Sequence, residues 1–280
     1  IEINTLSPFT LVIYHLDIER IRSLAFSVMS TFKIGKITGS FHPSKKNSIE
    51  QIFDILRTHF PTVKEEKISE ILEQMKDPMK YKFSSTIFVA EDSQANVKGF
   101  AILFYMPDTN FCFLDYLAVK PGKTSSGIGG AIYERVREEA QLLNTIGIFM
   151  ECLPDDPSLC KDTSEIKQNQ SRLAFYERYG ARPIIGTKYE TSVKSEDDCP
   201  PYLVFDNLGN DYDLSASVAK KIVKAILQRK YPTYCPEAYV KMVVSSIKSS
   251  PVQLRDYRYI DKNRSIEKHK AIKNLIPFIV

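Results

Sequence analysis

The stretch from Leu114 to Ala131 constrains this chain most. An apolar run ending at Val119 reads as a strand, Lys120 to Ser126 as a proline- and glycine-marked turn, and Gly127 onward as a helix start. Glycine permits positive φ and close approach to the main chain. Gly127, Gly129 and Gly130 stand where the turn hands over to the helix, and the first backbone N–H groups of a helix have no intrahelical acceptor. Consecutive amides from Ser125 to Gly130, Ile128 included, then converge on one anion, as a pyrophosphate cradle does, with the hydroxyls of Thr124, Ser125 and Ser126 beside them. The same residues also suit a tight turn with no ligand. Three other signatures are absent: no Lys follows Gly130 as in a P-loop, the third glycine of GxGxxG is missing, and there is no GxSxG.

The 280 residues, 43% of them hydrophobic, suffice for a real core in one large or two modest domains. No apolar run of about 18 residues exists, so no membrane partner is expected, and no secretory signal is read at the start. The five cysteines, Cys112, Cys152, Cys160, Cys199 and Cys235, form no CxxC pair, and their odd number leaves a free thiol. That usage points to a reducing, cytoplasmic setting. His15, His42, His59 and His269 are too scattered for metal spacing, so no metal is expected.

The net charge of +4 is uneven: residues 211–280 carry 14 Lys/Arg against 6 Asp/Glu, and the rest 24 against 28. A basic tail beside an acidic body reads as a surface laid on that body, a solvated face, or a site for a protein partner. No aromatic–basic ladder accompanies it, which argues against nucleic acid.

Periodicity predicts a strand at 9–15, a helix near 18–32 capped by Asp17, a basic loop over 33–47, and helices near 48–59 and 64–76. Strands follow at 84–91 and 96–106, joined by a turn at Asp92–Asn96, and at 111–119. A helix over 128–143, a strand over 146–152, an irregular stretch to Glu165 and a helix over 169–179 ending on Gly180 come next. Strands near 182–191 and 202–207 close a body ending near 210. Beyond it lie an amphipathic helix over 214–229, with Lys220, Lys221, Lys224 and Lys230 on its polar side, a helix from Pro236 to about Lys248, and a charged, irregular end. Two short helices cannot hide their apolar stripes alone, so residues 211–280 are expected to pack on a 1–210 body.

The turn after Val119 and Pro121 resembles the cofactor turn of the GNAT superfamily of acyl-CoA-dependent N-acyltransferases, with Gly127-Ile128-Gly129 in frame. Asn169, Arg172, Tyr176, Glu177 and Gly180 match that family's second signature in the expected order. More narrowly, 113–116, 151–156 and 175–183 look like the GNAT module fused ahead of histone-deacetylase-like domains in some bacterial proteins. One departure stands out: the family's usual Gln or Arg at the start of the turn is Thr124 here. The resemblance implies an α+β fold in α/β/α layers, with a mixed, mainly antiparallel sheet. It also implies acetyl transfer from acetyl-CoA to a primary amine: a lysine side chain, a polyamine or a small amine.

On that resemblance the pantetheine arm runs along Leu117, Ala118 and Val119, coenzyme A's diphosphate lies on the glycine turn, and Asn169 meets the cofactor arm or orders its helix start. Tyr176 holds the position of the acid that protonates the departing thiolate. Glu151 and Asp115, late in neighbouring strands, are the candidate bases. Cys152 has no histidine close in sequence and reads as a small buried residue. Asp155, Asp156, Asp162 and Glu165 form an acidic loop suited to drawing in a cationic amine or simply solvated. With the base unassigned and Thr124 a departure, an acyl-CoA-binding sensor without turnover is the alternative.

Overall fold

Near-continuous apolar runs in the central strands require cover on both faces of a sheet. The structure, a computed structural model, describes residues 32–39, 45–122, 127–194 and 199–260. The expected strand at 9–15 and most of the helix near 18–32 lie outside them, as does the chain after 260.

Among the described residues eight strands form one sheet in the order β1-β2-β3-β4-β5-β7-β6-β8. They are β1 (Lys33–Thr38), β2 (Ser84–Glu91), β3 (Val97–Met106), β4 (Phe111–Val119), β5 (Ile148–Cys152), β6 (Arg182–Ile185), β7 (Tyr202–Asp206) and β8 (Gln253–Leu254). Every pairing is antiparallel except β4 with β5. The helices are α1 (Lys46–His59), α2 (Glu65–Lys76), α3 (Pro78–Tyr81), α4 (Ile128–Leu142), α5 (Thr163–Glu177), α6 (Ala216–Arg229) and α7 (Glu237–Ser246).

Helices α4 and α5 cover one face, burying Phe88, Leu103, Leu114 and Met150 with Ile132, Val136 and Leu173. Helices α1, α2, α6 and α7 cover the other, burying Ile87, Ile102, Phe113 and Phe149 with Ile52, Ile71, Ile222 and Val243. The α6–α7 pair therefore shares the core of the body. This is the mixed α+β, GNAT-type architecture that the resemblance implied.

Four readings need correction. Residues 33–38 are an edge strand rather than loop, with Ile37 opposite Ile87; lysines and a glycine hide a strand whose pattern only its partner completes. The stretch after β5 turns helical at Thr163, because the Asp162 side chain accepts from Ser164 N–H at 2.8 Å and caps α5. The strand read over 182–191 stops at Ile185, where Gly186 takes φ +72°. In the tail, β8 pairs with β6.

The acidic loop is mostly not a lure for amines. Asp155 is buried, accepting from Arg255 at 2.8 Å and from the Tyr259 hydroxyl at 2.5 Å, and Glu177 accepts the backbone N–H groups of Arg258 and Tyr259. Asp156 bonds Ser158 and Asp162 caps α5. The tail's arginines thus neutralise acids of the body.

Cysteine usage also departs from the reading of scattered thiols: Cys160 and Cys199 form a disulfide across 39 residues, while Cys112, Cys152 and Cys235 stay free. Glu165 lies 3.7 and 4.0 Å from the two sulfurs, so reduction would expose a three-residue donor set that no spacing announced. Closing a loop of that length restricts the unfolded chain, and Cys160→Ser with Cys199→Ser is expected to lower the unfolding free energy by about 2–4 kcal/mol. Denaturant titration reads this, and identical midpoints for the oxidised protein and the double variant would refute it. Among the described residues no helix is long and apolar enough to cross a membrane.

Candidate functional site

Parallel strands β4 and β5 are paired only where Cys112, Phe113 and Leu114 face Ile148, Phe149 and Met150. One step further in register stand Asp115 and Glu151, the two carboxylates singled out in the sequence. Beyond them β5 stays with β7, Glu151 facing Leu203, while β4 continues to Val119. The sheet forks there. Asp115 is also the extra residue of a bulge: Ile102 faces Tyr116 and Leu103 faces Leu114, leaving Asp115 without a partner in β3.

The bulge sets which backbone groups reach the fork. Lys120 N–H donates to Lys98 O at 2.8 Å, so it points to β3. Alternation along the strand turns the N–H and C=O of Leu117 and Val119 outward, and those of Ala118 inward. The outward Val119 carbonyl accepts from His59 Nε2 at 2.7 Å. Among the described residues, Val119 N–H and both Leu117 groups remain as the free edge.

That edge lines a cleft of about 560 Å³, with Gly127, Gly129 and Gly130 beside it and Gln168, Arg172 and Tyr176 of α5 along its wall. Gly127 has φ +76°, which a side chain would strain, and it precedes α4 without a side-chain cap. The first bond into this turn of α4 is Ala131 N–H to Gly127 O at 3.0 Å, so the N–H groups of Ile128, Gly129 and Gly130 lack intrahelical acceptors. A Cβ at Gly130 would sit 3.2 Å from the Tyr179 hydroxyl, so a side chain there would press on that tyrosine. Thr124, Ser125 and Ser126 lie outside the described residues.

Tyr176 is 6% exposed and packs edge-on against Tyr133 at 5.2 Å. Its hydroxyl has no hydrogen-bond partner among the described residues, and burial raises its pKa well above that of a free tyrosine. It stays protonated throughout the neutral range. Asn169 is set apart from the cleft: it is 1% exposed and its amide donates to Pro154 O at 2.9 Å, pinning the loop after β5 to α5. That contact accounts for it without a cofactor. Cys152 is buried, and burial pushes its thiol up to about 12, which leaves it inert.

At the base of the fork the two carboxylates share one cation. Lys230, just past α6, places Nζ 2.8 Å from Asp115 Oδ1 and 3.0 Å from Glu151 Oε2, and 4.4 Å from the Phe113 ring centroid. Glu151 is saturated: Oε1 accepts from the Tyr189 hydroxyl at 2.6 Å, and Oε2 from Tyr231 as well as Lys230. Burial pushes the Glu151 carboxyl up, but the Lys230 charge and these hydrogen bonds outweigh it and leave the pKa below the usual carboxylate value. Burial disfavours the Lys230 ammonium, yet Asp115 and Glu151 together hold it well above a free lysine. Asp115 Oδ2 is buried with no hydrogen-bond partner among the described residues.

The structure therefore brings together Leu117, Val119, Gly127, Gly129, Gly130 and Tyr176 along one cleft, and Asp115 with Glu151 at the buried fork of β4 and β5, outside the cleft's lining. Lys230, Tyr189, Tyr231 and His59 were missed. Sequence periodicity placed Lys230 with the solvated lysines of α6, and nothing local separates it from Lys220 or Lys224. Its burial follows from where the end of the helix meets the fork.

The family profile for the acetyltransferase (GNAT) domain matches residues 83–180, the span from the start of β2 to Gly180 that carries the fork, the cleft and α5. No curated protein matches the chain. Among solved structures the chain is similar to an aminoglycoside 6′-N-acetyltransferase complexed with coenzyme A, with 18% identity over 65% of this chain and 99% of that one and a TM-score of 0.48. It is also similar to Tetrahymena GCN5, with 12% identity over 64% and 99% and a TM-score of 0.46. A third is a GNAT family acetyltransferase from Elizabethkingia anophelis with acetyl-CoA bound, with 15% identity over 62% and 96% and a TM-score of 0.40.

Proposed function

We propose that this chain is an acyl-CoA-dependent N-acyltransferase that moves an acetyl group to a primary amine. The observation that carries the reading is the meeting, in one cleft, of a free strand edge at Leu117–Val119 with the bare N–H groups at the start of α4. An extended chain of amides ending in a diphosphate is the ligand such a surface fits: the edge pairs with the amides as an added strand would, and the helix start takes the anion. The profile match over 83–180 supports the same reading.

Acyl-CoA supplies an activated carbonyl and a thiolate leaving group; the chain's own residues bind, orient and move protons. In this reading Val119 N–H polarises the thioester carbonyl. The amine nitrogen forms a bond to that carbon, the carbon–sulfur bond breaks, and the proton lost by the amine passes to a carboxylate. Asp115 suits that role better than Glu151, because Asp115 Oδ2 is unengaged while both Glu151 oxygens are taken. Tyr176, protonated and facing the cleft, gives its proton to the departing sulfur and is restored from solvent.

The acyl-CoA sensor remains a second reading, favoured by the saturated state of Glu151 and the cation already between the two acids. The narrower likeness to modules ahead of histone-deacetylase-like domains rests on three short segments and on the linker-like stretch from Pro201 through the helices at 214–248, and no comparison adds to it.

Val119→Pro tests the binding half. Proline fits an extended edge and removes an N–H that β3 does not use, so the sheet should hold. Loss of one hydrogen bond of about 1.4 kcal/mol corresponds to roughly ten-fold weaker acetyl-CoA binding, read by calorimetry in the absence of amine. Unchanged affinity would take the free edge out of the proposal. Thiol release with a panel of primary amines then separates transferase from sensor.

A further inference from the structure

The disulfide sits against a carboxylate that it does not need. Cys160 is buried, Cys199 is half-buried, and Glu165, in the first turn of α5, sets Oε2 3.7 Å from Cys160 Sγ and 4.0 Å from Cys199 Sγ. A thiol can donate a hydrogen bond, but a disulfide sulfur carries no proton, so an acceptor oxygen here faces two atoms with nothing to donate. The three atoms lie within 4.8 Å of one another. Around a tetrahedral zinc ion, with Zn–S of about 2.3 Å and Zn–O of about 2.0 Å, a sulfur and an oxygen ligand stand about 3.5 Å apart. Glu165 is already close to that spacing from both sulfurs.

We propose that, once the disulfide is reduced, Cys160, Cys199 and Glu165 bind one zinc ion, with water in the fourth position on the exposed side. Two thiolates and a carboxylate suit zinc, which takes sulfur and oxygen together, where magnesium and calcium call for oxygen alone. Reduction adds two electrons and two protons to the sulfur–sulfur bond, and both protons leave again as the thiols take the metal. The frame that holds the donors does not depend on the disulfide. Cys199 N–H donates to Leu159 O at 3.1 Å, Cys160 N–H donates to Asp156 O at 3.0 Å, and the Asp162 cap fixes the turn that carries Glu165. Two thiolates on one zinc need about 3.8 Å between them, which side-chain rotation supplies once the bond is broken. The stretch after β5 and the stretch before β7 are then held together by sulfur in the oxidised protein and by zinc in the reduced one. The second stretch also carries Tyr189, whose hydroxyl donates to Glu151 at 2.6 Å.

The test uses the full chain and no acyl-CoA, so its outcome is separate from the proposed transfer. A phosphine reduces the disulfide, taking up the oxygen of one water, and the protein is titrated with Co²⁺ as a coloured stand-in for zinc. One equivalent is expected to raise a thiolate-to-cobalt charge-transfer band with the visible absorption of a tetrahedral ion, and zinc should bleach it. At a hundred-fold excess over its Kd, zinc should raise the melting temperature of the reduced protein by about 5 °C and leave the oxidised protein unmoved. Glu165→Ala should weaken zinc binding by about ten-fold or more. Cys160→Ser with Cys199→Ser should abolish the band, although Cys112, Cys152 and Cys235 remain. If that variant does not fold, Cys199→Ala alone takes its place. A band that survives the cysteine changes, zinc affinity indifferent to Glu165→Ala, or a folded protein in which phosphine frees no further thiol would each overturn the proposal.

Discussion

Lys230→Met is expected to lower the unfolding free energy by about 3–5 kcal/mol, although methionine matches the stem in length and apolar character. The loss comes from what remains: Asp115 and Glu151, with side chains 1% and 12% exposed, are left buried side by side without the cation that lies between them among the described residues. A surface lysine of the same helix, such as Lys221, should cost little on the same change. The pH dependence has a definite sign. Glu151 titrates below its ordinary 4.5, so its share of the stabilisation is present above that value and fades as pH falls through the lower folded value. Lys230 titrates above 10.5, so its share is present below that and fades as pH rises through the higher folded value. Wild type should therefore exceed the variant through the neutral range, with the gap narrowing in acid and again in strong alkali. Chemical denaturation at several pH values measures this, and a gap that widens below pH 4.5 would contradict the ion-pair account.

Tyr176→Phe should leave the fold and coenzyme A affinity nearly unchanged and lower kcat by about 10²–10⁴-fold. The ring does the packing, against Tyr133 and Phe175 at 5.2 and 5.1 Å, and phenylalanine keeps it. The hydroxyl bonds to no described residue, so its removal orphans nothing. What it removes is the hydroxyl proposed as proton donor, in a wall of the cleft that carries the strand edge. Because burial raises the pKa of Tyr176, its protonation should add no alkaline limb to the rate profile below about pH 10. Rates of thiol release with a good amine acceptor decide the matter. Equal turnover by variant and wild type would remove Tyr176 from the chemistry, and a parallel loss of coenzyme A binding would recast it as a binding residue.

The two predictions divide along what the chain announces and what it conceals. The strand from Phe111 to Val119, the glycine start of α4 and the position of Tyr176 on α5 are consequences of local pattern: an apolar run, residues that accept positive φ, and a helical period that brings Leu173 and Tyr176 to one side. Each is specified within about a dozen residues, so each was legible, and with them the α+β class and the cleft. Asp115 and Glu151 were legible as late-strand acids, but their adjacency depends on a parallel register between strands separated by a whole helix.

Other features were fixed only by contacts distant in sequence. Residues 33–38 become a strand because β2 offers an open edge, and Asp155 is neutralised by an arginine a hundred residues away. The Cys160–Cys199 pairing needed the loop's path. Lys230 is the clearest case. By helical period it belongs to a solvated face, yet it is buried, because the fork of β4 and β5 exposes two carboxylates where α6 ends and the attraction outweighs the loss of water. Sequence by itself thus determined the central strands and the helix start, since those depend on backbone preference and near neighbours. Which charges meet at the base of the fork was decided by tertiary structure alone, since a long-range ion pair leaves no periodic trace in the chain.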